Sequence, residues 1–138
     1  MNKEEWKKFE ASLQHPFAGG ADLKADGHDL QIRVTPLKNL RYTISVYVDG
    51  YIKGEYMRPG SAIGAKFYRA EKVCFYGRAA QAKLMKECGK RFAKNEIADA
   101  TRIIYASNWN TATALRRHLT KTCSSIELVR AGYPVKSA

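Results

Sequence analysis

The sequence is short of paired cysteine, of acid and of long apolar runs, and each shortage removes a class of protein. Its 138 residues include three cysteines, Cys74, Cys88 and Cys123. That odd number, with no CxxC pair, indicates neither a disulfide framework nor a zinc ribbon and reads as three reduced thiols of a cytoplasmic protein. No apolar stretch reaches the ~18 residues of a membrane span, and the charged start of the chain lacks the apolar centre of a signal peptide, so a soluble protein is expected. The histidines, at 15, 28 and 118, show no HxH or HExxH spacing, so neither a metal nor a cofactor is expected. The glycines around Pro59, Gly60 and Gly64 lack the following Lys-Ser/Thr of a phosphate loop. Nothing is spaced for general acid–base work: Asp26 and Asp49 have a full explanation as Asp-Gly turn residues, and His118 with Cys123 is poorly aligned as a nucleophile pair. With no catalytic set, the expectation is a protein that is not an enzyme.

The acid shortage gives the chain a direction. Twenty-four Lys and Arg stand against thirteen Asp and Glu, a formal net charge of +11. Residues 1–69 hold eleven basic and eight acidic residues, whereas residues 70–138 hold thirteen and five. The second half is therefore where an anionic partner is expected.

What is present begins with a β-meander over Leu30–Tyr56. Apolar residues recur at every second position in Leu30, Ile32, Val34 and in Ile44, Val46, Val48, with Gln31, Arg33, Thr43, Ser45 and Tyr47 between them. That period belongs to a sheet with one dry face and one wet face. A third strand over Tyr51–Tyr56 would follow Asp49-Gly50. A two-residue turn there would set Lys53 against Val46 on the dry face, so a three-residue loop placing Ile52 there is preferred. Upstream, a two-residue turn at Asp26-Gly27 opposes Leu23 to Leu30 and Lys24 to Asp29, adding a short edge strand. Asp99–Ala106 and Ile126–Val129 read as further strands.

Asn2 with Glu5 forms a capping-box start for an N-terminal helix that buries Trp6, Phe9 and Leu13 and stops before Pro16. Residues Ala79–Lys94, rich in helix formers, predict one helix with Leu84, Met85, Cys88 and Phe92 on one side and Lys83, Lys86, Lys90 and Lys94 on the other. Only Glu87 lies among those lysines. A last helix, capped by Ser107 or Asn108 and running to about Thr122, buries Trp109, Ala112, Leu115 and Leu119 and carries Arg116, Arg117, His118 and Lys121 near its end. Lys66–Arg78 interleaves the aromatic pairs Phe67-Tyr68 and Phe75-Tyr76 with cations. This is the composition that stacks on bases and neutralises phosphates, but it is more often that of a strand with one ring turned inward and one outward. Met57–Ala65 reads as an irregular connection.

The stretches Leu23-Lys24-Ala25-Asp26-Gly27, Tyr47-Val48-Asp49-Gly50-Tyr51-Ile52-Lys53-Gly54-Glu55 and Leu115-Arg116-Arg117-His118-Leu119, with Ser124-Ser125-Ile126-Glu127-Leu128, resemble small uncharacterised proteins carried by proteobacterial phages and prophages. The resemblance spans most of the chain. It implies a phage origin, and so a bacterial cytoplasm, but no activity and no site residue.

The sequence thus predicts a single α+β domain over residues 1–138, with 131–138 as a mobile tail. An antiparallel sheet of five or six strands would carry three helices mainly on one face. The expected function is non-enzymatic binding of nucleic acid or a nucleoprotein complex. Phosphates would meet Lys83, Lys86, Lys90, Lys94, Arg116, Arg117 and Lys121, and bases would stack on Phe67, Tyr68 or Tyr76. The alternative is a module that binds a host defence protein through exposed aromatic anchors.

Overall fold

A computed structural model describes residues 1–132. In chain order its elements are α1 (Lys3–Ala11), β1 (Ala21–Ala25), β2 (His28–Pro36), β3 (Tyr42–Val48), α2 (Ala62–Phe67), β4 (Arg69–Cys74), α3 (Arg78–Cys88), α4 (Lys90–Asp99), β5 (Thr101–Ala106), β6 (Asn108–Trp109), α5 (Ala112–Thr122) and β7 (Ile126–Ala131). Five strands form one antiparallel sheet in the order β6-β3-β2-β1-β7, and β4 and β5 form a separate two-stranded ribbon. The architecture is α+β, as the alternation of periods implies.

The first hairpin has the expected register, Leu23 opposite Leu30 and Lys24 opposite Asp29. Asp26 and Gly27, at φ 48° and 83°, make the two-residue turn whose twist suits a hairpin. β1 is not an edge, however: β7 pairs with its other side, with a bulge at Asp22/Leu23. The turn at Asp49-Gly50 also differs from expectation. Val48 and Tyr51 exchange both backbone hydrogen bonds, at 2.9 and 3.1 Å, which closes a two-residue turn. Lys53 never meets Val46, because pairing stops at Tyr51 and the chain enters a 3-10 turn at Gly54–Met57 that buries Tyr56. The expected third strand is therefore absent. Its place beside β3 is taken by β6, with Trp109 opposite Ile44.

Ala21, Leu23, Ala25, Leu30, Ile32, Ile44, Val46 and Val48 make the buried face of the sheet. Three helices cover it, contributing Trp6, Phe9 and Leu13 from the N-terminal segment, Phe67 from α2, and Leu115 and Leu119 from α5 to one hydrophobic core. α1 starts in the capping box expected for it, with the Asn2 side chain accepting from the Glu5 amide at 2.8 Å and Glu5 accepting from the Asn2 amide at 3.2 Å. α2 was hidden in what read as a loop; Ser61 caps it by accepting from the Gly64 amide at 3.0 Å. α5 starts later than expected, capped by Thr111 rather than Ser107 or Asn108. Of the tail expected over 131–138, Ala131 pairs with Ala21 and the Gly132 amide donates to the Gly20 carbonyl at 2.8 Å; residues 133–138 lie outside the described residues.

The remaining elements, β4, α3, α4 and β5, form an arm that leaves the core at Tyr68 and returns at Ala106. The helix predicted over Ala79–Lys94 is two helices, broken at Gly89, whose φ of 86° and ψ of 155° are accessible to glycine but strained for other residues. α3 buries no residue and α4 buries Ala93 alone. The second of the three predicted helices thus lies off the sheet, and α2 takes its place on the core.

Candidate nucleic-acid interface

Residues 69–106 hold nine basic and four acidic residues. Lys83 and Lys86 share a face of α3, and Lys90 and Lys94 share a face of α4, so the single stripe expected of one helix becomes two short ones, one on each side of Gly89. All four are exposed, and none forms an ion pair among the described residues. Lys90 and Arg91 occupy the first turn of α4, which holds no acidic residue. Cations at a helix N-terminus oppose the macrodipole, at a cost of about 0.3–1 kcal/mol each. The helix dipole thus does not favour Lys90 and Arg91, whereas Lys86, in the last turn of α3, suits the dipole of its own helix.

The aromatic part of the prediction needs correction. Phe67 and Tyr68 are fully buried, 0 % exposed, and cannot stack on a base. Phe67 closes α2 onto the core, meeting His28 edge-on with ring centres 5.6 Å apart, and Tyr68 packs edge-on against Tyr56 at 6.4 Å. Burial pushes the Tyr68 phenol up to about 12, with the Tyr56 hydroxyl adding to the shift. Tyr76 is half-buried, and its carbonyl accepts from the Gln81 side chain at 2.7 Å. The rings that face solvent on the arm are Phe75, 90 % exposed, and Phe92, 52 % exposed, joined by Val73, Met85 and Ile103. Leu84 is half-buried and Cys88 exposed, so the apolar side expected to seal the helix onto the sheet meets no core.

Arg116, Arg117 and Lys121 belong to a different place, where α5 packs beside α1. The Arg116 guanidinium lies 5.2 Å from the Trp6 ring centre and its Nη1 pairs with Glu10 at 3.3 Å. Arg117 and Lys121 are exposed. The seven cations singled out in the sequence therefore divide between the arm and the α1–α5 face. No protein-family model, curated protein or solved structure matches the chain.

Asp26, Asp49, His118 and Cys123 are engaged in contacts within the fold. The Asp26 carboxylate accepts from the Ser124 and Ser125 amides and pairs with Lys66 Nζ at 2.7 Å, which holds it down to about 2. His28 Nδ1 donates to Asp49 at 2.9 Å, and with the Asp29 amide it keeps the Asp49 carboxyl below its ordinary range. The His118 Nε2–H donates to the Ala65 carbonyl at 3.1 Å while its ring rests on Trp109, and burial lowers its pKa. Burial raises the Cys123 thiol, whose sulfur lies 3.8 Å from the Thr122 hydroxyl. His118 and Cys123 are thus each engaged elsewhere and form no nucleophile pair. Among the described residues no group of three His, Cys, Asp or Glu side chains is placed to hold a metal ion, and no helix is long and apolar enough to cross a membrane.

Proposed function

We propose that this chain is a small, non-enzymatic accessory protein of the phage type that binds nucleic acid through its β4–α3–α4–β5 arm. The observation that carries the reading is the exposed, unpaired cluster Lys83, Lys86, Lys90, Arg91 and Lys94 on two helices that bury only Ala93. Two of its charges, Lys90 and Arg91, stand in the first turn of α4, where they oppose the helix dipole and a bound anion would relieve them. Phe75 and Phe92, exposed on the same arm, are the rings available to stack on unpaired bases, in place of Phe67 and Tyr68. Single-stranded nucleic acid supplies both the phosphates and the free base faces that this surface matches.

A labelled single-stranded oligonucleotide, titrated with the protein over a salt series and followed by anisotropy, tests the reading. Contacts from the four lysines would give a log K against log[salt] slope of about −3. Affinity independent of salt would refute it. The exposed apolar side chains Val73, Phe75, Phe92 and Ile103 support a second reading, in which the arm docks on a host protein through aromatic anchors. That reading is favoured if a partner protein stays bound after nuclease digestion.

A further inference from the structure

A second cationic site lies on elements that the arm does not include. Between α1 and α5 runs an open groove of about 500 Å³ lined by Trp6, Thr113, Arg116, Arg117, Thr120 and Lys121. The five α5 residues are spaced i, i+3, i+4, i+7 and i+8, so they form one stripe alongside the buried line of Leu115 and Leu119. Arg116 is held in place by two contacts, the Glu10 carboxylate at 3.3 Å and the Trp6 ring at 5.2 Å. A guanidinium fixed in this way loses little freedom when it binds a planar array of acceptors. Arg117 forms no ion pair among the described residues and sits in the middle of α5, where the helix dipole offers it nothing. Lys121, one turn further on, extends the same cationic edge. The Thr120 hydroxyl is committed to the Arg116 carbonyl at 2.8 Å and so is not a donor to a ligand; Thr113 supplies the rim hydroxyl.

Three cations against the single carboxylate of Glu10 leave two positive charges in the groove. A phosphate monoester carries about −1.5 to −2 at neutral pH and presents three acceptor oxygens, which matches two forks and an ammonium. The volume falls within the ~300–1,000 Å³ of small-molecule sites, larger than the phosphate alone needs. We propose that the α1–α5 groove recognises a phosphate monoester, with Arg117 and Lys121 taking the phosphate oxygens and Arg116 prepositioned against Trp6. The phosphate can belong to a small molecule or to the end of a nucleic-acid strand.

Trp6 is a built-in reporter, because the chain has two tryptophans and Trp109→Phe leaves it alone. In that variant, inorganic phosphate and a nucleoside monophosphate are each titrated at constant ionic strength while Trp6 emission is followed. Calorimetry on the unaltered chain provides a second readout. A saturable response that weakens at least tenfold in Arg117→Ala/Lys121→Ala, with the melting temperature unchanged, supports the site. Tighter binding of a 5′-phosphorylated oligonucleotide than of its 5′-hydroxyl form then assigns the phosphate to a strand end. Equal binding of the two oligonucleotides, with the nucleoside monophosphate still saturating, assigns it to a small molecule. A response matched by chloride at the same ionic strength, or unaltered in the double variant, overturns the proposal. Charge reversal of Lys83, Lys86 and Lys90 should leave phosphate binding intact, so failure of the groove and failure of the arm are read separately.

Discussion

Replacing Tyr68 by phenylalanine should make the protein more stable. The Tyr68 side chain is 0 % exposed, and its hydroxyl is buried with no protein partner among the described residues. A buried hydroxyl without a hydrogen bond costs about 1–3 kcal/mol. Phenylalanine keeps the ring and its edge-on contact with Tyr56 at 6.4 Å, and the missing oxygen leaves a void whose lost dispersion offsets a few tenths of the gain. The expected net change is about 1–2 kcal/mol in favour of the variant, or roughly 3–6 °C in melting temperature. Urea and thermal unfolding followed by circular dichroism read both quantities. The pH dependence provides an internal check. Burial holds the phenol at about 12 against an ordinary 10.0. Above pH 10 the unfolded chain therefore ionises while the folded one does not. The stability that Tyr68 loses between pH 10 and pH 12 is absent in the phenylalanine variant, so the gap between the two proteins should widen across that window. A variant less stable than its parent by more than about 0.5 kcal/mol would show that the hydroxyl is hydrogen-bonded in solution and refute the reasoning.

Further substitutions test packing, capping and charge. A Cβ on Gly64 would run into the Tyr56 carbonyl and lie 2.6 Å from the Tyr105 ring; because a backbone oxygen cannot swing away, Gly64→Ala should cost at least the ~1–3 kcal/mol of an overpacked site, measured by urea unfolding. Thr111→Ala should cost about 1 kcal/mol, with no comparable cap lost in Ser107→Ala, since the Ala114 amide is capped by the Thr111 hydroxyl at 3.1 Å. Asp26, held at about 2 from an ordinary 3.8, stabilises the fold fully above pH 4 and ceases to do so as pH falls towards 2. Asp26→Asn should therefore be less stable at neutral pH, with its deficit narrowing over that acid window in a series of thermal melts.

The parts of the fold that were legible in the sequence are those decided locally. Asp26-Gly27 between alternating apolar residues specified both a turn and a register, and Asn2 with Glu5 specified a helix start. What escaped was decided at a distance. Tyr51–Tyr56 has strand-forming residues, but β6, some fifty residues further along, occupies the edge it would have used. Gly89 is tolerable inside a helix on propensity alone, and only its positive φ separates α3 from α4. The aromatic pairs Phe67-Tyr68 and Phe75-Tyr76 look alike in sequence, yet Phe67 and Tyr68 end up in the core whereas Phe75 projects from the arm. Ser61, three residues before Gly64, was the available signal for α2. For the candidate sites, the basic residues were legible as a set, and their division between the arm and the α1–α5 groove was not. Trp6 joined the groove only when two ends of the chain came together.

If the arm's cations meet nucleic acid, charge reversal of Lys83, Lys86 and Lys90 should release it. Anisotropy of a labelled single-stranded oligonucleotide should be titrated over a salt series with the parent and the triple glutamate variant, their folds matched by circular dichroism. The expected result is a loss of affinity at low salt together with a salt slope smaller in magnitude by about 2, as three phosphate contacts disappear at ~0.7 each. Unchanged affinity and slope in a folded variant would leave the arm without a nucleic-acid role.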